Sequence, residues 1–184
     1  YFRLPEQATQ RGTVFILHGY FDHVGLYSQL IDRCLGAGFD VLAYDQPGHG
    51  LSSGTPAAIG SFLEYQRVFA ENSSNSRSLR FLREHDPLQA RAVHVDWVSA
   101  LRKWVPHIES ARPVDFPVTV VQGEKDLTVD WQHNLRIIRN KFSSVEELKI
   151  PDGRHHLVNE AQDLQATVFN TIIDTFTNSA FEAR

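Results

Sequence analysis

The sequence predicts an α/β fold with a mostly parallel sheet, on three observations. Short apolar runs alternate with amphipathic helical stretches at both ends of the chain. The runs are continuous rather than alternating, as strands buried on both faces require. The joints are tight, so each strand–helix–strand unit implies parallel strands and a right-handed crossover. A length of 184 residues suits one domain carrying a small excursion.

Taken in order, residues 13–18 (Thr-Val-Phe-Ile-Leu-His) form a strand between Gly12 and Gly19. A helix follows from Leu26 to Leu35, with Leu26, Leu30, Ile31 and Leu35 on one face, and Gly36 and Gly38 stop it. Phe39–Tyr44 reads as a second strand, and Asp45 to Pro56 as a turn-rich loop. The middle, Ser61 to Arg112, holds helical patterns at Ser78–His85 and Val95–Ile108 but no convincing strand, which suggests a helical insertion or cap. Strand–helix grammar then returns. Pro117–Gln122 is a strand, Asp130–Phe142 a helix, Val145–Ile150 a strand, and Glu160–Phe176 a closing helix with Leu164, Val168, Ile172 and Phe176 on one face.

Composition removes several function classes. With 42% hydrophobic and 22% charged residues and a net charge of −4, the chain has no basic footprint for nucleic acid. No apolar run reaches the roughly 20 residues that span a bilayer, so no transmembrane segment is expected, and the first residues lack a signal-peptide pattern. Cys34 is the single cysteine, which leaves no internal disulfide and no Cys-based zinc site. A cytoplasmic location is the default expectation. Without any Met, Tyr1 is expected not to be the translation start.

Three places carry chemistry. His18-Gly19-Tyr20 closes the first strand, where a glycine lets the backbone turn and aim peptide N–H groups outward, as an oxyanion hole requires. On these residues alone a plain strand-ending turn is the simpler reading. Asp126 follows the strand 117–122, at the edge where open α/β sheets bind ligands, and is suited to orient a histidine. Its competing reading is a helix cap, a role assigned to Asp130. Gly153-Arg154-His155-His156 lies between the last strand and the last helix, and a histidine there is suited to general-base work. Together the acid and the histidine make an acid–base couple.

Acid then His is the chain order of the α/β-hydrolases. Residues 16–27 (Ile-Leu-His-Gly-Tyr-Phe-Asp-His-Val-Gly-Leu-Tyr) resemble the oxyanion-hole strand of their monoacylglycerol lipase and lysophospholipase branch. Residues 45–54, the triplet Asp86-Pro87-Leu88, residues 122–126 and residues 153–160 resemble further segments of the same branch, in its order. The resemblance implies an α/β-hydrolase fold with a helical cap, and a serine hydrolase of carboxylic esters, acylglycerols or lysophospholipids, needing no cofactor. It makes Asp126 the triad acid and Tyr20 the source of an oxyanion N–H. It makes His155 the base, because His-x-Leu-x-Asn-Glu aligns it with Leu157, Asn159 and Glu160, with His156 the fallback one residue out of register.

The nucleophile is missing. Gly50-Leu51-Ser52-Ser53-Gly54 matches Gly-x-Ser-x-Gly, but an elbow needs a strand running into it and a helix leaving it. Here the motif sits beyond the strand 39–44, after turn chemistry, so Ser52 is set aside. Ser61, Ser73, Ser74, Ser76 and Ser99 lack the strand as well. The resemblance places the elbow strand and one more strand where this sequence has its junction near Gln66 and Arg67, which implies an absent internal segment and a sheet without its middle. The expected organisation is then 1–66 and 113–184 as two halves of the core, with 67–112 as the cap. Phe69, Phe81, Leu82, Trp97, Leu101 and Trp104 of that cap either line an acyl site or pack on the core. Two other classes remain: a catalytically dead hydrolase-like protein that binds a lipid or a partner, and a metal hydrolase built on His18, His23 and His49 near Asp45, for which no metal-ligand spacing occurs. The sequence does not fix oligomeric state.

Overall fold

The computed structural model describes residues 1–5, 9–53, 81, 84–88 and 95–178. Strand β1 (Gly12–Ile16) pairs in parallel with β2 (Phe39–Ala43), Gly12 facing Phe39 and Ile16 facing Ala43. Between them run a 3₁₀ turn, Val24–Tyr27, and helix α1, Ser28–Gly36. The expected strand at 13–18 ends two residues early because its pairing with β2 ends at Ile16.

After α2 (Val95–Ser110), strand β3 (Val114–Gly123) pairs in parallel with β4 (Phe142–Ile150) across α3 (Trp131–Lys141). Both strands start three residues earlier than the sequence predicts. Val114 recruits Phe142, and the ladder is irregular up to Pro117, which has no N–H to contribute. Asp130 caps α3, its carboxylate accepting the His133 N–H at 2.9 Å, the role expected for it. A 3₁₀ turn, Leu157–Asn159, leads into the closing helix α4 (Gln162–Asn178).

The two parallel pairs are separate two-stranded sheets. One core nevertheless joins them. Val14, Ile16, Phe39 and Val41 meet Leu30, Ile31 and Cys34 of α1, Val168 and Phe169 of α4, and Ile150 at the end of β4. Each such side chain contributes roughly 1.5–3 kcal/mol when fully buried. Leu164, Ile172 and Phe176 pack against this cluster, as the helical spacing predicts. The other face of the first pair is open. Phe15, Leu17, Leu42 and Tyr44 are exposed, as a sheet without its middle would leave them.

The expected boundary at 66/67 and much of the expected cap lie outside the described residues. Phe81 and Trp104 are exposed, so packing on the core does not account for them. The side chains of Phe69, Leu82, Trp97 and Leu101 are outside the described set. Among the described residues no helix is long and apolar enough to cross a membrane.

Candidate active site

The carboxyl ends of β3 and β4 lie side by side, Gly123 opposite Ile150, and each releases a loop there. Backbone hydrogen bonds lace the loops together: Glu124 N–H to Ile150 O and Lys125 N–H to Gly153 O, both 2.9 Å. Gly123 makes the approach possible, since a Cβ there would run into the carbonyls of Gly153 and Arg154. Arg154 N–H is held by the buried Glu160 carboxylate at 2.9 Å, which fixes the second loop.

Asp126 is buried on the first loop. Its Oδ1 accepts the N–H groups of Thr128 (2.8 Å) and Val129 (3.3 Å), and its Oδ2 accepts Gln122 Nε2–H (3.3 Å). His155 on the second loop meets the same Oδ2 through Nδ1 at 2.9 Å. Burial pushes the Asp126 carboxyl upward, but the hydrogen bonds from His155 and Thr128, with the His155 charge and Gln122, outweigh it and hold it below the ordinary carboxylate range. An ionised Asp126 requires the proton on His155 Nδ1, which makes Nε2 the basic nitrogen.

His156 is placed differently. Its Nε2 meets Asp22 Oδ2 at 3.0 Å, and Asn159 Nδ2 donates to its Nδ1 at 2.8 Å. Both ring nitrogens are engaged away from Asp126. Of the two sequence candidates, the geometry joins His155 to the acid and not His156.

Tyr20 lies in the turn after β1. The turn is closed by Asp22 N–H to Gly19 O at 3.1 Å and carries Phe21 at φ +71°, a conformation that turns usually reserve for Gly or Asn. The Tyr20 ring packs edge-on to Phe21 (4.6 Å between centroids) and to His49 (5.3 Å).

Two histidines of the metal reading, His18 and His23, have other work. His18 Nε2 accepts Gln46 N–H at 2.9 Å, and its Nδ1 donates to Gly19 O at 2.8 Å. His23 is buried against the buried Asp86 at 2.8 Å. Ser52 sits in an exposed turn, nine residues past the end of β2, and donates its hydroxyl to Asp45 O at 2.5 Å. That is turn architecture, as the sequence predicts for it. Asp45 organises the loop, accepting Val24 N–H (2.7 Å) and Leu51 N–H (2.9 Å). Sequence reasoning missed the His23–Asp86 and His156–Asp22 pairs. The Asp86-Pro87-Leu88 triplet was a signal for the first, and none existed for the second.

Comparison with known proteins bears on the fold. Residues 8–71 match the family model described as "Serine aminopeptidase, S33". A soluble variant of monoglyceride lipase from Saccharomyces cerevisiae superposes with a TM-score of 0.78 at 14% identity, covering 96% of this chain and 90% of that one. The chain has the fold of the α/β-hydrolases. Monoacylglycerol lipase from Mycolicibacterium smegmatis is 37% identical over 59 residues, 32% of this chain and 21% of that protein. The uncharacterized protein YfhR of Escherichia coli O157:H7 is 22% identical over 179 residues, 78% of this chain and 62% of that protein. The chain therefore spans less than two thirds of these curated relatives. The match to YfhR runs over more positions than 78% of this chain can supply, so the relative holds residues inside the matched region with no counterpart here.

Proposed function

We propose that this chain belongs to a serine hydrolase of carboxylic esters, with acylglycerols or lysophospholipids as the substrate class. Asp126 is its acid, His155 its base, and the Tyr20 N–H one oxyanion donor. The observation that carries the reading is the 2.9 Å contact between His155 Nδ1 and the buried, hydrogen-bonded Asp126 carboxylate. In this reading the nucleophilic serine lies in an internal segment that this sequence lacks.

In that scheme His155 Nε2 takes the serine proton as Oγ attacks the acyl carbonyl. Asp126 stays ionised, because its hydrogen bonds favour the anion, and stabilises the imidazolium without taking the proton. The proton then passes to the leaving alkoxide, and water releases the acid by the same route reversed. An oxyanion donor of the Tyr20 kind is worth about 10²–10³ in rate.

The test uses the full-length gene product and a fluorophosphonate probe, with a short-chain monoacylglycerol as substrate. Labelling and hydrolysis are expected, and Asp126→Asn should reduce kcat by about 10³–10⁴-fold. The missing elbow favours a second reading, a hydrolase-like protein that binds a lipid or partner without turnover. A full-length product that neither labels nor hydrolyses would establish it.

A further inference from the structure

We infer that His156, Asp22 and Tyr27 form a tie that sets the Gly19–Tyr20 turn against the loop carrying His155, and that they act as positioning residues. The inference rests on the proposed roles of Tyr20 and His155.

The tie is a continuous chain of hydrogen bonds. Asn159 Nδ2 donates to His156 Nδ1 at 2.8 Å, and His156 Nε2–H reaches Asp22 Oδ2 at 3.0 Å. Tyr27 donates its hydroxyl to the same oxygen at 2.7 Å and receives the Gly19 N–H at a longer 3.4 Å. One end is therefore the backbone immediately before Tyr20, and the other is the residue immediately after His155. The Asp22–His156 link joins positions 134 apart in sequence. The 3₁₀ turns 24–27 and 157–159 are packed together, and the Tyr27 and His156 rings meet edge-on at 5.9 Å.

Protonation states fit one arrangement. Burial raises the Asp22 carboxyl, yet the hydrogen bonds from His156 and Tyr27 hold it below its ordinary range. The Tyr27 hydroxyl is pushed far upward by burial and by the Asp22 charge, so it remains a donor. With Asn159 donating to Nδ1, His156 is the Nε2–H tautomer and His155, facing Asp126, the Nδ1–H tautomer. Adjacent histidines thus hold their protons on opposite nitrogens.

The turn needs such support. Phe21 at φ +71° stores on the order of 1–3 kcal/mol, a conformation kept only where neighbours over-determine it. The Asp22 carboxylate also lies against Gly19, where a Cβ would sit 3.1 Å from Oδ2. A displacement of about 1 Å in this turn would cost an oxyanion donor about 10²-fold in rate.

Two measurements decide the matter. In long-range ¹H–¹⁵N spectra of the 184-residue chain above neutral pH, His156 should carry its proton on Nε2 and His155 on Nδ1. Asp22→Asn, and independently Tyr27→Phe, should shift the Gly19 and Tyr20 amide signals while leaving the His155 pattern in place. The opposite His156 tautomer, or unmoved Gly19 and Tyr20 signals in both variants, overturns the tie. In the full-length hydrolase, Tyr27→Phe and His156→Leu should lower kcat about 10–100-fold with KM unchanged. His156→Gln, which keeps an N–H for Asp22, should restore most of the loss. Wild-type kcat in Tyr27→Phe and His156→Leu overturns the positioning role. Failure of the triad reading shows separately, as full kcat in Asp126→Asn or no hydrolysis by the wild type, whereas the spectra judge the tie without any turnover.

Discussion

Replacing Gly123 with alanine sets one methyl group at the closest approach of the two site loops. Gly123 is buried at the end of β3, and it is not among the glycines at positive φ, so space rather than backbone freedom demands it. The new Cβ meets the carbonyls of Gly153 and Arg154, which are backbone atoms and cannot swing aside. Gly153 O already accepts Lys125 N–H at 2.9 Å, so parting the loops breaks that bond. Overpacking of this kind costs about 1–3 kcal/mol and the lost hydrogen bond about 1 kcal/mol. The reduced freedom of the unfolded chain returns roughly 0.4–1 kcal/mol. A net loss of about 1–3.5 kcal/mol follows, a sizeable part of the ~5–15 kcal/mol typical of a domain. Gly36 supplies the control. It ends α1 with nothing within 4 Å of its would-be Cβ, so Gly36→Ala should stabilise by roughly 0.4–1 kcal/mol. Urea unfolding followed by circular dichroism reads both, and the Asp126–His155 contact should weaken only in Gly123→Ala. Equal stability of Gly123→Ala and the wild type would refute the reasoning, as would a comparable loss in Gly36→Ala.

Three further outcomes are expected. His23→Ala leaves Asp86 buried beside a vacated partner and should destabilise by about 3–5 kcal/mol, whereas a surface change such as Glu124→Ala should stay within roughly 0.5 kcal/mol in the same melt. The carboxyls of Asp22, Asp45 and Asp126 are all held below their ordinary range, in each case because hydrogen bonds outweigh the effect of burial. The unfolded chain therefore binds protons first. Stability from these groups is complete above about pH 4 and falls as pH drops below it; Asp45→Asn should flatten that acid limb in urea titrations, and an unchanged limb would count against it. Cys34 is fully buried and its thiol is pushed up to about 11 by burial, so iodoacetamide should modify it only under denaturing conditions, which intact-mass spectrometry would reveal.

The sequence determined what depends on near neighbours. Apolar runs ending in glycine gave the strands, the spacing of Leu164, Val168, Ile172 and Phe176 gave the inward face of α4, and Asp130 marked the start of α3, because propensity, periodicity and capping act over a few residues. Its resemblance to the α/β-hydrolases also pointed to Asp126 and His155, with His156 as the fallback. Strand limits were less legible. Val114 and Phe142 join the ladder through each other, and neither segment announces the other. Tertiary structure set His155 against the acid and turned its neighbour His156 away from it. It also made Asp22 a partner of His156 and buried His23 against Asp86, placing His155 and His156, one residue apart, in different networks. Side-chain direction at a loop tip is set by backbone hydrogen bonds and packing from distant elements, and those contacts exist only once the chain has closed on itself.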